Sequence, residues 1–178
     1  MQEIYNKIDD DRLQALLDYW QKKKGKGLPA RSDIDPIEIP KLLRYLILAD
    51  YDAACQDVRF RLVGTEMVDH WGRDFRNMHL HEIMSGEYHD YIHGLFVQTA
   101  TSAQPLFSES VFRWDKGRAM RTKRLMLPLA SDGCTVDAVL VGQVFIGTKA
   151  EVLPLPGIAR GDSVSVTETA RHQFTPEL

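Results

Sequence analysis

The sequence predicts one α+β domain, and three observations predict it. Two apolar extended segments, Tyr45–Tyr51 and Val58–Val63, are separated by the polar turn Asp52–Asp57. A long amphipathic stretch follows at Glu87–Thr101. Three further extended segments then run in succession, Leu106–Trp114, Ala119–Leu129 and Val136–Gly147, joined at Asp115-Lys116-Gly117 and Ser131-Asp132-Gly133. Strands on both sides of a helical middle cannot be an all-α or an all-β chain.

The bulk composition fits this. A chain of 178 residues suits one domain with extensions. With 44% hydrophobic and 26% charged residues it has the make-up of an ordinary globular protein. A formal charge of −3 gives no global attraction to nucleic acid. No basic segment precedes an apolar run at the N-terminus, so no signal peptide is expected. The greasiest stretch, Leu42–Ala49, contains Arg44 and is too short to span a bilayer. Cys55 and Cys134 form no C-x-x-C pair, and a reduced cytoplasm is the simplest setting.

Each element has its own signature. Leu13, Leu16, Leu17 and Trp20 recur at helical spacing between Asp10 and Lys24. Asp9, Asp10 and Asp11 suit the positive end of that helix, and Lys22, Lys23 and Lys24 its negative end. Gly25 and Gly27 stop it. This helix either lies on its own domain or presents Leu13, Leu16, Leu17 and Trp20 to a second copy. Asp35 can cap a single turn that begins at Pro36, and Pro40 limits that turn. In Val58–Val63, Val58, Phe60 and Leu62 alternate with Arg59, Arg61 and Val63, the period of a half-buried strand. Thr65 can cap a short helix ending at Gly72, whereas Phe75–Glu82 shows no clean period. On Glu87–Thr101, Tyr88, Tyr91, Leu95 and Thr99 line one side and Ile92, Phe96 and Ala100 the next, a stripe wide enough to pack hard on a sheet. Beyond Lys149 the chain holds Pro154, Pro156, Gly157 and Gly161 and reads as an extended or poorly ordered tail, with at most a short strand near Val164–Val166. The division is therefore a leader over residues 1–40, a domain over 41–147 and a tail over 148–178.

The order of elements, with Phe60-Arg61-Leu62-Val63-Gly64-Thr65, Gly72-Arg73-Asp74 and Leu80-His81-Glu82-Ile83, resembles the PAS fold, in particular a bacterial branch that stands alone as one small domain. Tyr19-Trp20 through Asp33-Ile34-Asp35-Pro36 is similar to the leader of that branch, so the resemblance covers Leu16–Gly147. It implies a five-stranded antiparallel sheet with helices on one face enclosing a pocket. It also implies a sensory or signalling module, commonly a homodimer, that works by contact with a signalling protein and by binding a small ligand. Asn77 and Met78 fall where this branch often has glycine, which leaves the geometry of that loop open.

His89 and His93 are four apart on the long helix and share a face, a spacing that can chelate a metal. Their place also resembles that of the haem histidine of some PAS proteins. His79 and His81 form a second pair, and no third ligand stands at helical spacing, so no metal site is assigned. Gln143 matches in kind a glutamine that light-sensing relatives place beside flavin, but the cysteine motif of those proteins is missing. The cofactor is left unknown. His89, His93, Phe96, Phe112, Gln143 and Phe145 are the candidate pocket lining. Arg113, Arg118, Arg121 and Arg124, with Lys116 and Lys123, surround one hairpin and form a candidate anion or partner patch. Nucleic acid is not the expected partner, and no membrane is. No G-x-S-x-G, P-loop, G-x-G-x-x-G or H-E-x-x-H motif occurs, so no enzyme is expected. The alternatives are a haem- or metal-binding PAS sensor and a small cone-shaped isomerase or dehydratase recruiting Asp69, His70, Tyr88 and Tyr91.

Overall fold

The computed structural model of the chain describes residues 6–114, 118–146 and 165–174. Helix α1, Asp11–Lys23, begins where Asp10 turns the chain: its Oδ1 accepts from the Arg12 and Leu13 backbone N–H at 3.0 and 3.4 Å. Burial opposes ionisation of Asp10, but the Arg12 guanidinium and the cap bonds outweigh it and hold the carboxyl below its ordinary 3.8. A lowered folded-state pKa stabilises the fold above the unfolded value, and this is lost as pH falls through the folded value. Asp10→Ala is therefore expected to cost about 1 kcal/mol at neutral pH. The gap to the parent protein should close in acid, which urea unfolding at stepped pH measures.

Two of the aspartate and lysine signals around α1 have partners elsewhere. Asp9 bonds Lys123 of the sheet, and Lys23 reaches Glu38 at 2.6 Å. The apolar face of α1 is not presented to a second copy. Leu13, Leu16, Leu17 and Trp20 are each 2% exposed or less. They pack on Phe107, Leu125, Leu127, Leu140 and Val144 of the chain's own sheet. Trp20 donates its indole N–H to the Pro128 carbonyl at 3.0 Å. Gly142 makes the close approach possible, because a Cβ there would stand 2.5 Å from Leu16 Cδ2. The reading of these four residues as a dimer contact is corrected: the sheet face beneath them is too apolar to be left in water, and α1 is its cover.

The sheet has six antiparallel strands in the order β2-β1-β5-β4-β3-β6. They are β1 Leu46–Asp52, β2 Asp57–Val63, β3 Leu106–Trp114, β4 Arg118–Leu129, β5 Ala138–Ile146 and β6 Ser165–Gln173. The first five follow the sequence expectation. The sixth does not: it is nine residues long where the tail suggested three, and it pairs with β3 from Leu106↔Gln173 to Arg113↔Ser165. The rest of the expected tail, and the Asp115-Lys116-Gly117 turn, lie outside the described residues.

Covering both faces makes the central strand β5 buried along nearly its whole length, with Val139 and Val141 on one face and Ala138, Leu140 and Val144 on the other. The alternation expected of β2 breaks once. Leu48 pairs with Leu62 but Ala49 with Phe60, so Arg61 is an extra residue. Past that bulge the faces swap: Phe60 and Val63 join the inner layer and Leu62 the outer one.

Three helices cover the inner face: α2 Thr65–Trp71, α3 Leu80–Ile83 and α4 Gly86–Ser102. Gly64 rather than Thr65 is the cap of α2, and Gly72 ends it at φ 69°. The loop before α3 resolves the missing glycine. Asn77 takes φ 65°, a left-handed conformation that asparagine tolerates better than most residues. Its N–H then donates to the Phe60 carbonyl at 2.7 Å, stitching the loop to β2. Among the described residues no helix is long and apolar enough to cross a membrane.

Candidate ligand-binding cavity

Between α4 and the inner face of β1, β4 and β5 lies a cavity with room of about 30 Å³. A site of that size admits one or two waters. Its walls are Ile47, Phe60, Met126 and Val141 from the sheet, Trp71, Phe75 and Met84 from the flank, and Ile92, Leu95 and Phe96 from α4. The polar residues of the lining are Tyr88, Arg124 and Gln143, and all three belong to one cluster.

The cluster follows from strand alternation. On β4 the odd positions Leu125 and Leu127 pack against α1, so the even positions Met120, Thr122, Arg124 and Met126 face inward. Arg124 is 2% exposed. It lies opposite Gln143 of β5 and Ser108 of β3 in the ladders. Its Nε donates to Gln143 Oε1 at 3.0 Å, Nη1 to Ser110 Oγ at 2.9 Å and Nη2 to the Tyr88 hydroxyl at 3.1 Å. The guanidinium carbon stands 5.1 Å from the Phe112 ring centre, and Phe112 meets the Tyr88 ring edge-on at 4.7 Å. Every one of these partners is uncharged. Among the described residues no carboxylate pairs with Arg124, whereas Arg12, Arg31, Arg44, Arg61, Arg76, Arg121 and Arg171 all have one.

Burial pushes the Tyr88 phenol up against the pull of Arg124, so at neutral pH it keeps its proton. Its oxygen accepts from Arg124, which leaves the O–H to donate. Gln143 likewise spends its carbonyl on Arg124, which leaves the amide N–H₂. Three of the five guanidinium N–H groups are used in the bonds above. The arrangement is thus rich in donors and poor in acceptors. Two further hydroxyls on the same inner face, Ser108 Oγ and Thr122 Oγ1, are fully buried and have no hydrogen-bond partner among the described residues, which is uncommon in a protein core.

The expected lining is partly corrected. Phe96 and Gln143 do line the cavity. Phe112 stands behind it, under Arg124. Phe145 stacks on His70 with ring centres 3.7 Å apart, clear of the lining. His89 and His93 are stacked on each other at 5.6 Å on the flank of α4 and do not line the cavity. His89 bonds Asp90 at 3.0 Å, and His93 Nε2 donates to the Gln56 carbonyl at 2.8 Å. The i, i+4 spacing put both on one face, but that face is not the buried one.

The basic patch is corrected as well, because alternation splits it across the sheet. Arg124 points into the core. Arg121 and Lys123 point to the α1 side, where Glu109 lies 3.8 and 3.7 Å away. Arg113 donates to Thr167 Oγ1 of β6 at 3.4 Å. The Arg118 side chain and Lys116 lie outside the described residues. Of the residues suggested for a cone-type enzyme, Asp69 is exposed and His70 commits Nδ1–H to the Glu66 carbonyl at 2.6 Å. Only Tyr88 reaches the cavity.

The second histidine pair finds a third group that spacing could not show. His79 Nδ1 is 2.5 Å from Asp57 Oδ2, and His81 Nδ1 is 3.9 Å from Asp57 Oδ1. The ligand-type atoms of these three residues lie within 4.8 Å of one another, in a partly exposed position at the start of β2.

In the sequence Arg124 and Gln143 fall in separate candidate groups. The signal that joins them is register: on paired antiparallel strands Arg124 and Gln143 are directly opposite, and both have inward parity. Comparison with known proteins agrees with the fold. A family model described as a PAS domain matches residues 8–143. A search of curated proteins found no match.

Proposed function

The chain belongs to the PAS domain family, and from that premise we propose that it is a sensory module that binds a small ligand in the cavity between α4 and the sheet and passes its occupancy on by protein contact. One observation carries this reading: a buried, permanently charged guanidinium in an apolar cavity with neutral partners alone. A group whose charge cannot be neutralised by losing a proton is costly to bury. Well-packed apolar side chains commonly serve a core as well as a buried ionic cluster does, so stability alone does not call for this charge. A binding role accounts for keeping it.

The same cluster suggests how occupancy is relayed. Arg124 ties α4, through Tyr88, to β3 and β5. A ligand competing for those donors changes how α4 sits on the sheet. Helix α4 is in turn bonded to the edge strand β6: Gln98 meets Gln173 at 3.0 Å and Arg171 at 2.7 Å, and Glu87 accepts from the Val166 N–H at 3.1 Å. With the outer sheet face covered by α1, β6 is the exit we favour for a signal read by a second copy or by a signalling protein. In this reading the chain carries out no reaction of its own and works in the cytoplasm.

Thermal denaturation of the full chain against a broad panel of small metabolites tests this. At a hundredfold excess over its Kd a true ligand adds about 2.7 kcal/mol, or roughly 5–10 °C for a domain of this size. Ile92→Trp, which fills the cavity from α4, should abolish that rise. A panel that shifts neither protein, or shifts both alike, overturns the reading.

A further inference from the structure

On the basis of the sensory reading above, we propose that the ligand is a compact monocarboxylate with a short alkyl or aryl tail, held by Arg124, Tyr88 and Gln143. The donor–acceptor balance leads there. Arg124 offers its unspent N–H groups, Tyr88 its O–H and Gln143 its amide N–H₂, and the hydroxyl oxygens nearby, Ser110, Ser108 and Thr122, are neutral acceptors that leave the guanidinium charge unbalanced. A neutral alcohol or amide answers part of that demand, but it leaves the guanidinium charge unbalanced. A carboxylate answers both: it has acceptors only, carries one negative charge, and matches the planar fork of arginine.

The rest of the cavity sets the remainder of the ligand. Ile47, Leu95, Phe96, Met126 and Val141 offer no polar group. A second carboxylate, a phosphate ester or a sugar would strand its polar atoms against them. As it stands the cavity has room for one or two waters, so a carboxylate with even a short tail requires the walls to move apart, which keeps the tail small. Met84 and Met126 are the walls best able to repack around a larger one, since unbranched thioether chains adapt to irregular shapes. The cavity therefore discriminates by charge at one end and by apolar bulk at the other.

The test is an NMR titration of the isotopically labelled full chain. The readouts are the Arg124 Nε–H, the Gln143 amide and the Met84 and Met126 methyl signals. The probes are propionate, butyrate and benzoate, each beside its neutral amide, with succinate as the doubly charged control. The acids should shift these signals saturably, and the matching amides should bind at least about tenfold more weakly, the loss of a charge-assisted bond. Succinate should bind more weakly than butyrate. Tyr88→Phe keeps the ring and its packing and should weaken butyrate by about fivefold or more, and butyramide, whose carbonyl accepts the same O–H without a charge, by less. This variant leaves the buried Arg124 in place, so the test does not depend on a change at that residue being tolerated. Equal binding of acid and amide overturns the carboxylate assignment and leaves the cavity as a ligand site. No movement of these signals with any acid overturns the assignment too. The wider sensory reading falls only if the metabolite panel also fails.

Discussion

Removal of residues 1–24 is expected to leave the protein aggregated or unfolded rather than to turn a dimer into a monomer. Helix α1 places Leu13, Leu16, Leu17 and Trp20 on the outer sheet face, with each nearly inaccessible to water. Burial of each such side chain is worth about 1.5–3 kcal/mol, so four of them supply roughly 6–12 kcal/mol, as much as the whole net stability of a typical domain. The loss has a second part. Phe107, Leu125, Leu127, Leu140 and Val144 would become one exposed apolar surface on a sheet, a form prone to self-association. The milder substitution Leu16→Ala should cost about 2–5 kcal/mol by the same packing argument. Circular dichroism and size-exclusion chromatography of the truncated chain decide the matter. A soluble truncated protein with the parent's helix content per residue and urea midpoint would show that α1 is no part of the core.

This outcome bears on what could be read without a structure. The heptad-like spacing of Leu13, Leu16, Leu17 and Trp20 showed a helix with one apolar face, and that is what α1 is. Spacing says that a face must be covered, not by what. The answer lay in residues 125–129 of β4 and in β5, where strand positions of both parities are apolar, a pattern that only a sheet covered on both sides tolerates. Gly142, facing Leu13 and Leu16, marks where the two come together. Strand β6 was hidden for the opposite reason. Its residues Ser165–Gln173 are mostly exposed, and it contributes backbone pairing to an edge rather than a side-chain face. Hydrophobic period cannot detect a strand that buries so little. At its end Phe174 does enter the outer core, and its N–H donates to the Pro105 carbonyl at 3.0 Å. That single buried aromatic was the available signal.

The candidate site was legible in parts but not in its grouping. Gln143 and Phe96 read as pocket residues from the sequence alone, whereas Arg124 reads as part of a surface patch because five other basic residues surround it in sequence. Clustering along the chain misleads on a strand, where neighbours point to opposite faces. Applied to β4, the parity rule separates Arg124 from Arg121 and Lys123 without any coordinates. Asp57 was missed beside His79 and His81 because a gap of more than twenty residues carries no local pattern, and only the pairing of the loop with β2 brings them together.

The cluster around Arg124 should also reveal itself as a liability to stability. Arg124→Met alone removes a charge but strands the Gln143 carbonyl, the Ser110 hydroxyl and the Tyr88 oxygen, and is expected to cost about 2–5 kcal/mol. Adding Tyr88→Phe and Gln143→Leu removes two of those three orphans and keeps the volume of the core nearly constant. The triple variant should then regain most of that loss and end within about 1 kcal/mol of the parent protein, or above it, because replacing a buried ionic cluster by well-packed apolar groups is commonly neutral or stabilising. The three changes touch one another, so their effects must depart from additivity, and the sign of the departure is the informative quantity. Urea unfolding of the single, double and triple variants measures it. If the triple variant is less stable than Arg124→Met, then the cluster exists to hold the fold, and stability alone explains why this charge is buried. If it recovers while ligand-induced stabilisation disappears, the fold does not need the guanidinium, and the cavity's occupant does.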